Sequence, residues 1–515
     1  MKLKYILKNI LFYILFYYFV LGCSLLSVRA NEPRKTIPID NFYDTSGLLA
    51  VSIPGKDYPT IAKNVKDILN IKLNPTFSKG YKVVLLTKSQ IDSIEKLSIK
   101  LNVLQNPPFR YLVHDYNARY KRGFKELKNL ISEYKSYQMN QKLLKSLEKN
   151  FPALVTYREL GKTTMGYPIP AIRITTPNNN RNKVSVLFNG GIHASELIGT
   201  EHCYDIIYQI LSKPDDYKSA LNNINIWIVP IINPDGSFLF WYKDSRMGRK
   251  NGYLHDSHSE LDPNRGIDLN RNFPFKWNSG HPKASSANPS HSFFRGDEEG
   301  SEPETKAMME LAESERFLFS ISFHSFATKL LFPYTIEGIT NPDPDYPKEL
   351  ARKLAPQAKS YHPVKERFEA VKNIYPVDGT DQDFYYFKYG TNALLAESSH
   401  KNIDYSYVGT IMEGFRPVWQ GILKECLNGY KIGLRILDRE GDPIEAEIVS
   451  NEFKFYHQEK YTSDPETGLF YKMVLKEKEY KLKIVHPLYQ DEYIYVKATK
   501  SLDPVVVQLK EVLTQ

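Results

Sequence analysis

The rhythm of apolar positions changes along this chain, and each rhythm predicts a different kind of element. Between residues 135 and 428, the runs Val184 to Phe188, Ile224 to Ile232 and Phe317 to Phe323 are apolar nearly throughout and alternate with stretches of helical period. Such runs are strands covered on both sides, so this segment is expected to be α/β, a sheet with helices on its faces. Ser301-Glu302-Pro303-Glu304 reads as a capping box for the helix before the third run. After Gly429 the period shortens to two, in Gly433 to Leu437, Asp438 to Pro443, Tyr480 to Val485, Glu492 to Val496 and Val505 to Leu509. Turn residues separate these runs, which predicts a C-terminal β-sandwich over 429–515. Upstream, residues 31–134 hold the strand-like run Val83 to Leu86, a cap-like Ser89, a helical stretch to Asn102 and a strand candidate from Arg110 to Val113. Together they suggest a small α/β module, followed by the basic segment Arg119-Tyr120-Lys121-Arg122-Gly123, whose exposed character suits proteolytic nicking.

The first 30 residues follow none of these rhythms. Lysines at 2, 4 and 8 precede an apolar run from Ile10 to Leu21, and Val28-Arg29-Ala30 supplies a small-residue cleavage pattern. This is the layout of an export signal. A second cleavage pattern, Val20-Leu21-Gly22-Cys23, resembles a bacterial lipobox and would leave Cys23 lipidated and the protein membrane-anchored. Both patterns stand: cleavage after Ala30 gives a secreted or periplasmic chain, cleavage before Cys23 an anchored one. A transmembrane helix fits less well, because Asn9 and Cys23 bracket too short a stretch.

Composition narrows the classes further. The 515 residues are 42% apolar and 13% aromatic, as in folded globular chains, and exceed what one core organises, so several domains are expected. Much of the formal charge of +9 sits in the leader, and no basic run interleaved with aromatics follows it, so nucleic acid is not an expected partner. Beyond the leader only Cys203 and Cys426 remain, free or paired with each other, so no disulfide framework is required.

The chemistry concentrates at strand ends. Asn189-Gly190-Gly191-Ile192-His193-Ala194-Ser195-Glu196 closes the first buried run, and its glycines permit a tight turn beside a ligand. His193 and Glu196, three residues apart, can point the same way and bind one metal ion; His324, at the end of the third run, supplies a third ligand. Taken singly, His324 reads equally as a hydrogen-bonded core histidine, and Glu196 as an acid favoured at a helix N-terminus.

In its order and spacing, the segment from about 135 to 425 resembles the zinc metallocarboxypeptidases of the A/B and N/E types. That resemblance implies a mixed central sheet with helices on both faces and one zinc ion on His193, Glu196 and His324. It implies that Arg249, allowing a one-residue slip within Arg246-Met247-Gly248-Arg249-Lys250, steadies the oxyanion. The family's substrate-binding segment is matched by Asp268-Leu269-Asn270-Arg271-Asn272, so Asn270 and Arg271 would hold the substrate's free C-terminal carboxylate. Tyr375 would be the mobile phenol over the bound terminal residue, and Glu397, closing the apolar Leu394-Leu395-Ala396, the general base. Asn233-Pro234-Asp235-Gly236 matches a family turn with a structural role.

Specificity is where this chain departs from its relatives. Gln382, seven positions after Tyr375, would form the base of the pocket for the substrate's last side chain, and it is neither apolar nor acidic. Gly199-Thr200-Glu201 and the transthyretin-like C-terminal domain resemble the N/E branch. Where that branch places the acid that selects basic residues, this chain has Thr335. Ser195 and Phe326 replace an arginine and a tyrosine of digestive members. The 31–134 module resembles the pro-region of zymogens, which implies an activating protease near Lys121 or Arg122. Two other functions stay open: a peptidase acting on peptidoglycan stem peptides, and a catalytically inactive binding protein. Retention of His193, Glu196, His324, Arg271, Tyr375 and Glu397 weighs against the second.

Overall fold

The structure, a computed structural model, describes residues 48–54, 56–69, 81–103, 127–177, 182–243, 247–252, 266–360, 367–399, 402–403 and 405–511. The leader with Cys23, the strand candidate Arg110 to Val113 and the basic segment with Lys121 and Arg122 lie outside them. The described residues fall into two compact units, one up to residue 103 and one from 127 onward.

In the first unit β1 (Leu48–Pro54) pairs antiparallel with both β2 (Tyr81–Thr87) and β3 (Asn102–Val103). Helices Tyr58–Leu69 and Lys88–Glu95 bring Val65, Ile91 and Ile94 onto Val51, Ile53, Val84 and Leu86. The second helix ends at Glu95, short of the expected Asn102, because the chain turns through a left-handed Ser98 (φ 61°) and becomes β3.

The second unit is organised by an eight-stranded mixed sheet. Its strands are β4 (Val155–Lys162), β5 (Pro168–Ile174), β6 (Val184–Gly190), β7 (Ile224–Val229), β8 (Phe319–His324), β9 (Lys329–Leu331), β10 (Glu369–Val371) and β11 (Asn392–Glu397). Their order is β10-β9-β11-β8-β6-β7-β5-β4, with β11, β8, β6 and β7 parallel at the centre. Alternation along a strand divides the core in two. Ile224, Ile226 and Ile228 pack on one face with helices Tyr137–Asn150, Leu197–Ser212, Tyr346–Leu354 and Val408–Asn428; Trp227 and Val229 pack on the other with helices Pro303–Glu315 and Asp381–Tyr389. Burying an aliphatic or aromatic side chain contributes about 1.5–3 kcal/mol, so runs buried at every position hold the sheet centre rigid.

The helix Pro303–Glu315 begins without the expected capping box. Pro303 takes the first helical position, which moves the cap to Glu302, and Ser301 Oγ accepts from Asn272 Nδ2 at 3.0 Å instead. Cys203 and Cys426 are both free and buried.

Beyond residue 429 the sandwich forms from two three-stranded sheets. One holds β12 (Lys431–Leu437), β14 (Leu469–Met473) and β17 (Val505–Gln508); the other β13 (Glu447–Val449), β15 (Glu479–Val485) and β16 (Glu492–Lys497). They share one core, in which Leu434, Ile436 and Val507 of the first meet Ile448, Leu482 and Val496 of the second. Asp438 to Pro443, expected as a strand, is a turn: Asp442 N donates to Asp438 Oδ1 at 2.8 Å and Gly441 has φ 89°. The sandwich docks on the α/β part, where Tyr461 OH donates to Tyr386 O (3.2 Å) and Tyr334 OH to Glu459 Oε1 (2.9 Å).

Candidate active site

The parallel strands β6, β8 and β11 end at one edge of the sheet, and the candidate residues gather there. In open α/β sheets this carboxyl edge is where ligands bind. Close backbone approach builds the corner: a Cβ on Gly190 would meet Gly199 O at 2.5 Å, and one on Gly199 would meet Phe323 O at 2.4 Å. The turn carrying His193 and Glu196 is thereby pressed against the end of β8, where His324 stands.

Glu196 sits between the histidines. Its Oε1 lies 3.1 Å from His193 Nδ1 and its Oε2 3.1 Å from His324 Nδ1, and Ser325 N donates to Oε2 at 3.1 Å. Among the described residues, His193, Glu196 and His324 are the one group of His, Cys, Asp or Glu side chains arranged to share a metal ion, with donor atoms within 4.8 Å of one another. Burial would raise the Glu196 carboxyl, but His193 and His324 hold it well below the usual range. In the neutral tautomer whose Nε2–H donates to Asp268 (3.0 Å), His193 turns its Nδ1 lone pair to the Glu196 carboxylate. Two facing lone-pair donors at that distance are satisfied by a cation between them, and two imidazoles with one carboxylate leave a fourth tetrahedral position open, as catalytic zinc requires. The donor set therefore fits zinc.

Asp268 was not singled out from the sequence, although it lies inside the quoted segment. It also accepts from Arg249 Nη2 at 2.6 Å, which turns that guanidinium toward Glu196, whose Oε1 is 3.8 Å from Arg249 Nη1. Burial opposes its charge, yet Arg249, His193 and Arg271 keep Asp268 well below the ordinary carboxyl range. Lys250, the neighbour of Arg249, turns away, donating to Pro289 O (2.6 Å).

Arg271 is 1% exposed, with Nε on Ala284 O (2.8 Å), Nη1 on Asn270 O (2.8 Å) and Nη2 buried without a partner. Asn270 Oδ1 accepts from Asp381 N at 3.0 Å, which places its donor Nδ2 on the opposite side. Gly379 (φ 61°) lets the 375–383 segment lie on Arg271, since a Cβ there would meet Arg271 O at 2.4 Å. One cleft is lined by His193, His324, Asn270, Arg271, Tyr375, Gln382 and Glu397, together with Leu331, Ile374, Val377, Thr380 and Leu395. Glu397 is the register partner of His324 across β11 and β8, and its Oε2 is buried without a partner. Burial first, and the Glu196 charge second, push its carboxyl up to about 7.

Tyr375 is 41% exposed at the rim and stacks on Phe293, with centroids 6.1 Å apart and planes at 10°. Phe293 was not foreseen. Its ring lies 4.8 Å from the Arg249 guanidinium and 5.1 Å from that of Arg271, so one aromatic face spans both arginines. Asn402 is a further unforeseen contact: its Nδ2 donates to Ser195 O (2.9 Å) and its Oδ1 accepts from Leu197 N (3.1 Å), clamping the metal turn from about 200 residues away in sequence. Phe326 is 62% exposed beside the site. Glu201 turns instead to Lys135 Nζ and Tyr405 OH in the interior.

Paired histidines, a carboxylate between them, a second carboxylate of raised proton affinity and two arginines define a metal-dependent hydrolase site for an anionic substrate. Comparison with known proteins gives the particular kind. The family model "Zinc carboxypeptidase" matches residues 140–428. Metallocarboxypeptidase A of Trichophyton rubrum is 31% identical over 388 residues, 71% of this chain and 87% of that protein. Human mast cell carboxypeptidase A is 28% identical over 298 residues, 54% of this chain and 67% of that protein. The fold resembles the crystal structures of Helicoverpa armigera carboxypeptidase A (TM-score 0.52, 20% identity, 74% of this chain and 97% of that one) and thrombin activatable fibrinolysis inhibitor (TM-score 0.54, 20% identity, 74% and 98%). The chain belongs to the zinc carboxypeptidase family. It is a zinc metallocarboxypeptidase, a hydrolase of C-terminal peptide bonds.

Proposed function

We propose that the named residues divide the reaction as follows. His193, Glu196 and His324 would hold the zinc ion, which would supply a Lewis acid for the scissile carbonyl and lower the proton affinity of water. Glu397 takes the proton of the attacking water and returns it to the leaving amine, a double duty suited to a carboxyl whose affinity lies near neutrality. Arg249, aimed by Asp268, faces the oxyanion. Arg271 Nη2 and Asn270 Nδ2 receive the terminal carboxylate, and Tyr375 covers the bound residue from the rim. The observation that carries this reading is the buried, unpartnered Arg271 Nη2 in the same cavity as His193, His324 and Glu397.

The test is mass-spectrometric analysis of a peptide after incubation, beside the same peptide with a C-terminal amide. Stepwise loss of single C-terminal residues from the free acid alone is expected; internal cleavage, or equal attack on the amide, would contradict the reading. Turnover confined to muropeptides would move the substrate to peptidoglycan stems.

Processing completes the proposal. Residues 1–30 act as an export signal, ending after Ala30 or before a lipidated Cys23, and no described helix is long and apolar enough to cross a membrane. Residues 31–134 form a pro-region removed near Lys121 or Arg122, 135–428 the peptidase and 429–515 the sandwich domain. Support for the pro-region comes from the separate compact unit whose described residues end at 103. Full activity of the uncleaved chain would overturn it.

A further inference from the structure

One buried amide shares the cavity with a set of aliphatic side chains. Leu331, Ile374, Val377 and Leu395 line it together with Gln382, which is 1% exposed. The orientation of its amide follows from its neighbours. Thr335 Oγ1 donates to Asp383 Oδ2 at 2.8 Å, so toward Gln382 it has only lone pairs to offer. The amide must present Nε2 to it, as observed at 3.5 Å. That leaves Gln382 Oε1 as a buried acceptor without a partner. Buried polar atoms are nearly always satisfied, and one left open at a ligand cavity is filled by the ligand.

Resting on the reading of this cleft as a C-terminal peptidase, we propose that Gln382 selects substrates whose last side chain is neutral and carries a hydrogen-bond donor on an apolar stem, as in tyrosine and glutamine. A donor-bearing side chain satisfies Oε1 while its stem packs on the aliphatic lining residues. An apolar isostere leaves Oε1 unpaired, which discriminates by roughly tenfold or more. Lysine and arginine find no counter-charge at Gln382. Asp383 is occupied by Thr335, whose N donates to both its oxygens at 2.9 Å, and the Arg271 guanidinium lines the same cavity. Terminal aspartate and glutamate would set a carboxylate against a carbonyl oxygen.

The experiment compares kcat/KM for N-blocked dipeptides ending in Tyr, Phe, Gln, Met and Lys, using zinc-loaded protein, assayed both uncleaved and after cleavage near Arg122, its Gln382→Leu variant and its isosteric Gln382→Glu variant. Tyr is expected to exceed Phe, and Gln to exceed Met, by about tenfold or more. In Gln382→Leu both ratios should fall to about one or below, and Gln382→Glu should gain on Lys. Preference of the unaltered protein for Phe, Met or Lys would overturn the proposal, as would ratios unchanged in Gln382→Leu or, if that variant does not fold, no gain on Lys in Gln382→Glu. If no dipeptide is cleaved, the peptidase reading fails separately; calorimetry of free tyrosine against phenylalanine then judges the pocket, and equal affinity rejects it.

Discussion

The side-chain atoms of His193, Glu196 and His324 are held by Asp268, the Ser325 N–H and one another, whereas Arg271 Nη2, Gln382 Oε1 and Glu397 Oε2, which belong to residues lining the same cleft, are buried with no partner. The two halves of one cleft therefore differ in how complete they are. The metal half is finished by the fold, through glycine contacts that press strand ends together; the substrate half is finished by what enters it. Unsatisfied polar atoms are costly in a core, so those on residues lining the cleft are the ones a substrate can complete.

Mutation should separate the halves. The largest effect is expected for Glu397→Gln, which keeps the shape of the side chain and removes its proton affinity: kcat should fall by about 10²–10⁴-fold with zinc content unchanged. Loss of zinc in that variant would merge the halves that the comparison separates. Asp268→Asn acts on the metal half. It should weaken zinc binding by roughly 10–100-fold in chelator competition, because the partner of His193 Nε2 is altered. Unchanged affinity would deny Asp268 that role. Phe293→Leu acts on the two arginines and on none of the metal ligands. Removing an aromatic face shared by Arg249 and Arg271 should raise KM several-fold, as expected for contacts worth about 0.5–1 kcal/mol, with zinc affinity unmoved.

The smallest effect lies outside the cleft and sharpens the contrast as a control. Glu304 is fully buried and pushed up to about 8, first by burial and then by Asp235. A carboxyl with a folded-state value above its unfolded one stabilises the fold when protonated. Its contribution is complete below pH ~4.3 and is lost as pH rises toward 8. Glu304→Gln should therefore lose less melting temperature than the unaltered protein between pH 5 and 8; parallel curves would contradict the assignment.

Much of this architecture was legible in the chain because burial on both faces leaves a plain signature. Val184 to Phe188 and the other apolar runs became the parallel centre, and His324 and Glu397 closed the strands they were expected to close. Local rules failed where a longer-range contact took over. Ser301 is spent on Asn272 and leaves the helix cap to Glu302, and the alternation in Asp438 to Pro443 yields to a turn through Gly441. The short strands Glu447–Val449 and Leu469–Met473 are half-exposed and give weak alternation. Asp268, Phe293 and Asn402 stayed hidden because their partners lie far along the chain, and spacing alone carries no sign of such meetings.

The central claim is that one zinc ion, held by His193, Glu196 and His324, is required for removal of C-terminal residues. It is tested most directly by dialysing the protein against a chelator and following release of the terminal amino acid during zinc titration. Activity should vanish, then return in proportion to added zinc and saturate at one ion per chain, with none regained by His324→Ala. Turnover that survives chelation, or that returns in His324→Ala, would contradict the account.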